Sequence, residues 1–171
     1  MSAQEVHLTL GSNVEAARNY PAAVRLLRGL GEVAAVSPVY ETVPVGMRGA
    51  ANFLNGAVLL RTGLTPVVLK TRLRLDVEEV LGRERPAGEG WAPRTIDVDI
   101  ALWGDLVGEI LGRRVPDPDI VRHLHLAQPL ADLSPELVHP ADGRTLAQVA
   151  ADLRATADVQ PVPRPDIVLE S

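Results

Sequence analysis

Asp97 and Asp99 stand two residues apart in the run Trp-Ala-Pro-Arg-Thr-Ile-Asp-Val-Asp-Ile-Ala-Leu, residues 91–102. Read as a strand, this run puts Thr95, Asp97, Asp99 and Ala101 on one face. Ile96, Val98, Ile100 and Leu102 take the other, because side chains alternate with period two. Two carboxylates are then held side by side on an element whose back is pinned to a core. Like charges one pleat apart repel, so the pair is a poor device for stability, and its removal is expected to leave stability unchanged or raise it. Hard carboxylate oxygens do suit divalent cations. Arg83, Arg85, Trp91 and Arg94 precede the pair, and guanidinium groups beside a metal seat point to a polyphosphate substrate. A strand of alternating acidic and apolar residues is more often simply half-buried, with its polar face in water. The flanking Pro-Arg, Trp and arginines shift that balance.

A second constellation lies at Phe53-Leu54-Asn55, reached from the Pro- and Gly-containing loop Thr42-Val43-Pro44-Val45-Gly46. On a strand Phe53 and Asn55 share a face, so a ring and an amide sit together, a pairing suited to a flat heterocycle. The ordinary alternative is that Phe53, the only Phe in the chain, is core. Gly11-Ser12-Asn13 by itself reads as a turn. Glu78 reads as a solvated helix residue or a partner for Arg83 or Arg85, and His7 as structural. His123, His125 and His139 lack the spacing of a zinc site. Neither a Walker loop nor G-x-G-x-x-G occurs, so any nucleotide must be held in another way.

The elements that must carry these residues follow from the patterning. With 171 residues, 46% hydrophobic and 23% charged, the chain suits one soluble domain and a sizeable core. The expected boundaries are a domain over 1–158 and an extended Pro-rich tail over 159–171. The absence of cysteine excludes disulfides and thiolate chemistry. A net charge of −5 argues against broad nucleic-acid binding, and only Lys70 among the 17 basic residues is lysine. No membrane association is expected, since no apolar run approaches the roughly 20 residues of a span. The expected location is cytoplasmic.

Residues 6–10 alternate and end at Gly11. A helix follows, with Asn19 or a neighbour as cap and Pro21 in its first turn. Residues 32–40 and 52–61 read as strands. Thr65-Pro66 opens a helix with Val68, Leu69, Leu73, Val77 and Val80 as its stripe, ending at Gly82. Residues 83–90 form a loop feeding the Asp-x-Asp strand. Beyond Gly104 the pattern weakens; 115–119 is a turn, and 120–130 and 145–153 are short helices. The order strand-helix-strand-strand-helix-strand predicts an α+β, ferredoxin-like antiparallel sheet with helices on one face and a C-terminal helical extension. An RNA-recognition domain shares that order but needs basic surface and strand aromatics not seen here.

Gly11-Ser12-Asn13, Tyr40-Glu41-Thr42-Val43-Pro44-Val45-Gly46, Phe53-Leu54-Asn55, Glu78-x-x-Leu-Gly-Arg-Glu-Arg85 and residues 91–100 occur in one order at compatible spacing. Over roughly residues 5–140 the chain resembles the 6-hydroxymethyl-7,8-dihydropterin pyrophosphokinases of folate biosynthesis. The resemblance implies the ferredoxin-like fold and Mg-dependent transfer of pyrophosphate from ATP to the pterin hydroxymethyl group, releasing AMP. It implies two Mg2+ ions on Asp97 and Asp99, with Arg83, Arg85 and Arg94 also catalytic. Thr42, Val43, Val45, Phe53, Asn55, Trp91 and His125 match the pterin side. Glu78, Arg94, Ile100, Arg114, Arg122 and His123 match the nucleotide side. ATP and the reduced pterin are the implied small-molecule partners, for a monomer or weak dimer.

Four positions depart from the family pattern. Asp117 stands where a His is usual, His123 where an Arg is usual, and His125 where a stacking Phe is usual. Leu75 takes a position commonly held by a Gln. All four are read as changes on the nucleotide side, so a pterin-binding relative with weakened ATP use, non-catalytic or altered in specificity, is the alternative reading.

Overall fold

The computed structural model describes residues 2–44, 49–84 and 93–170. Val45, Arg85 and Trp91, each expected at the site, lie outside the described residues.

Val6, Leu8 and Leu10 alternate along β1 (Gln4–Ser12), and all three are buried. β1 runs antiparallel to β4 (Phe53–Thr62) from Gln4 opposite Thr62 to Ser12 opposite Leu54. On its other side β1 takes β5 (Asp97–Trp103), again antiparallel. The remaining edge of β4 is shared by β2 (Glu32–Val36) and β3 (Tyr40–Thr42). The stretch expected as one strand over 32–40 is thus two. Pro38 lies at the break, where Ser37 N donates to Ala57 O at 2.9 Å and Ser37 Oγ, in place of a backbone carbonyl, accepts from Ala57 N at 2.8 Å.

Helices α1 (Ala16–Leu27) and α2 cover the face that carries Val6, Leu8, Leu10, Val98 and Ile100. α2 comprises Pro66–Arg72 and continues as a π-helical turn, Leu73–Glu78. α1 begins earlier than expected, at Ala16, so Pro21 lies inside it. Asn19 braces its start from within, donating to Val14 O at 2.7 Å. On α2 only Leu69, Leu73 and Val77 of the expected stripe are buried, while Val68 and Val80 are exposed. The opposite sheet face is only partly covered. There α3 (Leu124–Leu133) and α4 (Leu146–Thr156) pack on Ala57, Ala101 and Leu102. The capping box of Thr145 and Gln148 starts α4.

Leu102 is therefore not on the face expected for it. The register steps between His7 and Leu8, pairing His7 with Leu102 but Leu8 with Ile100, so Ala101 is an extra residue. This bulge reverses the alternation and turns Trp103 to the α1 side. The weak pattern after Gly104 conceals a hairpin of β6 (Gly108–Ile110) and β7 (Arg113–Val115). Its two-residue turn needs positive φ at Leu111 (48°) and Gly112 (78°), and Leu is an unusual residue there. A short 3-10 turn, Pro118–Val121, precedes α3 where one helix over 120–130 was expected.

The Pro-rich tail is not irregular throughout. β8 (Val162–Pro163) pairs with Tyr40 and Glu41, and Arg164 N donates to Val39 O at 2.8 Å. An edge strand tolerates Pro because its outward side needs no donor. Among the described residues no helix is long and apolar enough to cross a membrane.

Candidate functional site

The half of the sheet face left open by α3 and α4 carries the sequence-expected residues in register. Tyr40 pairs with Asn55, Asn55 with Gly11, and Gly11 with Asp97, so one row crosses four strands. Thr42 pairs with Phe53 one step along, and Thr9 with Asp99. With strands 4.7–4.9 Å apart, the Asn55 backbone and the Asp97 backbone are roughly 10 Å from each other. Gly11 is the floor between them. A Cβ there would stand 3.1 Å from Asn55 Oδ1, narrowing the space where a ligand must lie.

The carboxylates are surrounded by cations. Arg83 Nη1 donates to Asp97 Oδ1 at 2.7 Å, and Arg94 Nη1 donates to Asp97 Oδ2 at 2.7 Å. Lys70 Nζ donates to Asp99 Oδ1 at 3.1 Å, with Arg113 Nη2 3.8 Å from the same oxygen. Burial pushes the Asp97 carboxyl up, but Arg83, Arg94 and Lys70 outweigh it and hold the group below the ordinary carboxylate range. The repulsion read from sequence is thereby compensated.

Glu78 is not a solvated helix residue. It is 3% exposed and accepts from Arg83 Nη1 at 2.7 Å and from Val98 N at 3.0 Å. The π turn, closed by Glu79 N to Arg74 O at 2.9 Å, brings it under β5, and such turns recur at functional sites. Gly11-Ser12-Asn13 is more than a turn. Asn13 Oδ1 accepts from Arg94 N at 2.8 Å, Asn13 N donates to Arg94 O at 3.0 Å, and Ser12 Oγ donates to Thr95 O at 2.5 Å. This loop clamps the backbone that presents Arg94 to Asp97.

Thr42, Val43, Phe53, Asn55 and His125 line one cavity of about 350 Å3 together with Asp97, Asp99 and Arg94. Asn55 Nδ2 donates to Thr42 Oγ1 at 2.6 Å, which fixes the amide. His125 faces His123 at a ring separation of 5.4 Å. Burial, then His123, push the His125 imidazole down to about 4, so it is neutral at pH 7. Ile100 and Arg114 line a second cavity of about 280 Å3 with Lys70, Asp99, Arg113 and Asp117. Glu78, Arg83 and Arg94 line a third of about 360 Å3, again with Lys70, Asp99 and Arg113. Leu75, a departure from the family pattern, is an exposed wall of this third cavity.

Two expected nucleotide residues are brought elsewhere. Arg122 lines a separate cavity with His139 and Asp142 and lies 3.7 Å from Asp119. His123 is set against His125. Asp117 borders the first two cavities, where burial, then Asp99 and Asp119, raise its carboxyl. His7 is structural as expected, its Nε2 2.8 Å from Ser134 Oγ. Sequence reasoning missed Lys70, Arg113 and Asn13 as site residues. Lys70 was discoverable, because Lys70, Arg74 and Glu78 recur at i+4 and all border the third cavity.

The donor set suits magnesium. Mg2+ is held by one or two carboxylates while water and substrate phosphates complete its shell. Asp97 and Asp99 supply that number, and among the described residues no group of three or more His, Asp or Glu forms a closed cage.

The sequence matches the family model described as 7,8-dihydro-6-hydroxymethylpterin-pyrophosphokinase (HPPK) over residues 7–135. It is 36% identical over 152 residues to a 2-amino-4-hydroxy-6-hydroxymethyldihydropteridine pyrophosphokinase of Pseudomonas aeruginosa, covering 86% of this chain and 91% of that protein. A Bacillus subtilis protein of the same name is 38% identical over 130 residues, covering 74% and 76%. In fold, the chain superposes on a Plasmodium falciparum HPPK-DHPS structure with a TM-score of 0.73 at 12% identity. That match covers 92% of this chain but 46% of the longer Plasmodium chain. The register row, the carboxylate pair and the matched sequence agree, and the chain belongs to the HPPK family.

Proposed function

We propose that this chain transfers pyrophosphate from ATP to the hydroxymethyl oxygen of 6-hydroxymethyl-7,8-dihydropterin, releasing AMP. The observation that carries the reading is the register row Asn55–Gly11–Asp97, which sets an amide-and-ring pocket beside a cation-ringed carboxylate pair. In this reading the heterocycle lies against Phe53, with Asn55 and Thr42 reading its edge and His125 offering a neutral ring on the other wall. The catalytic domain is residues 1–158, acting as a monomer or weak dimer in the cytoplasm.

The alcohol oxygen attacks the β-phosphorus, the bond from that phosphorus to the bridging α–β oxygen breaks, and AMP leaves. Little covalent work falls to the protein, so positioning and charge neutralisation dominate. Asp97 and Asp99 would hold two Mg2+ ions, which when bound neutralise the phosphates and polarise the transferring group. Arg83 and Arg94 pair with Asp97 before substrate arrives, and their guanidinium groups can turn to phosphate oxygens once the carboxylate has another cation. Asp97, kept ionised by these neighbours, presents a carboxylate oxygen able to accept a hydrogen bond from the attacking hydroxyl.

Asp117 and Leu75 at the nucleotide cavities support one second reading, a pterin-binding relative with weakened ATP use. Incubation with ATP, magnesium and the reduced pterin separates the two. Stoichiometric, pterin-dependent AMP that disappears in EDTA supports the transferase. Pterin binding without AMP overturns it in favour of the relative.

A further inference from the structure

Lys70 is the one lysine of the chain, and no role follows for it from the motifs. It projects from the middle of α2 to Asp99 Oδ1, 3.1 Å away, with its side chain 22% exposed. Two cavities meet at this point. One carries Ile100, Arg114 and Asp117, and the other carries Glu78, Arg83 and Arg94; Lys70, Asp99 and Arg113 line both. An ammonium has three donors, and the bond to Asp99 uses one of them. The cations divide evenly between the carboxylates: Arg83 and Arg94 on Asp97, Lys70 and Arg113 on Asp99. Arg83 is further tied to Glu78, whereas Lys70 sits on a flexible stem at the seam of the two cavities.

We propose that Lys70 is a phosphate-binding residue of the nucleotide subsite, which neutralises Asp99 in the empty protein and turns to the polyphosphate when nucleotide enters. The inference rests on the pyrophosphokinase reading for the identity of the nucleotide. A cation moving from a carboxylate to a phosphate keeps Asp99 and the incoming anion from repelling each other at the moment of binding. It also brings a cation from a different element to the cavity that Asp117 borders.

A double-mutant cycle tests it, because a mere counterion would act only through Asp99. The dissociation constant of α,β-methylene-ATP is measured by calorimetry in EDTA for wild type, Lys70→Met, Asp99→Asn and the double variant. Lys70→Met is expected to weaken binding at least about tenfold, the loss of one charge-assisted contact, in both backgrounds. Lys70→Arg should recover part of the loss, and pterin binding should stay unchanged in Lys70→Met, because Lys70 does not line the pterin cavity. A Lys70→Met effect that vanishes in the Asp99→Asn background would overturn the proposal, as would a wild type that does not bind the analogue. Absence of pterin-dependent AMP from a wild type that passes the cycle would defeat the pyrophosphokinase reading and leave the phosphate contact standing.

Discussion

Replacing Asp97 by Ala removes a carboxylate that looks repulsive in sequence and is a hub of cations in the fold. Arg83, 10% exposed, would lose its 2.7 Å bond to Asp97 and keep that to Glu78. Breaking a buried ion pair by deleting one partner costs about 3–5 kcal/mol. Asp97 retains 20% exposure, which puts this site at the low end of that range. The bond from Arg94, 43% exposed, adds only about 0.5 kcal/mol after solvent screening. Relief of repulsion from Asp99 offsets part of the total, because Lys70 and Arg113 already shield that group. The expected net loss is therefore about 3 kcal/mol, read as a lower urea midpoint at pH 7 with an unchanged slope. The pH dependence follows in sign. A carboxyl held below its ordinary value of 3.8 stabilises the fold fully above that pH and loses the contribution as acid protonates it. The gap between wild type and Asp97→Ala should close below about pH 4. A variant as stable as wild type, or more stable, would refute the claim that the arginines compensate the pair.

Glu78→Ala leaves Val98 N without its 3.0 Å acceptor and Arg83 with one carboxylate fewer, and should lose about 3 kcal/mol in the same urea experiment. Glu78→Gln, which keeps an acceptor, should lose roughly half as much. Asn55→Ala is expected to weaken pterin binding about tenfold in fluorescence titration while leaving nucleotide affinity unchanged, since it deletes the edge-reading amide and its bond to Thr42. His125 is neutral in the fold down to about pH 4, whereas the unfolded chain takes up the proton near 6.5. Stability should therefore fall as pH drops from 6.5 towards 4, and His125→Phe should flatten that slope.

The parts legible in the sequence are those governed by short-range periodicity. Alternation through Val98 and Ile100 located β5 and put Asp97 and Asp99 on one face; Phe53 and Asn55 followed from the same rule on β4. Arg83 and Arg94 were expected beside the pair from their place just before it, but Lys70 was not legible, because it arrives from 29 residues away. Glu78 reaches Arg83 and Val98 from a π turn that no apolar pattern announces. The bulge at Ala101 defeated the prediction for Leu102 for a similar reason, since one unpaired residue flips everything beyond it. The β6–β7 hairpin was hidden by Leu111, a poor residue for the positive φ it adopts. Asn13 looked like turn chemistry and is the clamp on Arg94, a role visible only once residue 94 is folded against it.

The fate of the β-phosphorus tests the central claim most directly. ATP labelled at that atom is mixed with the reduced pterin, magnesium and this protein, and the products are separated. The account predicts the label in a pterin diphosphate ester, with one AMP formed for each ester. Label remaining in ATP despite bound pterin, or appearing only as free phosphate or pyrophosphate, would contradict it.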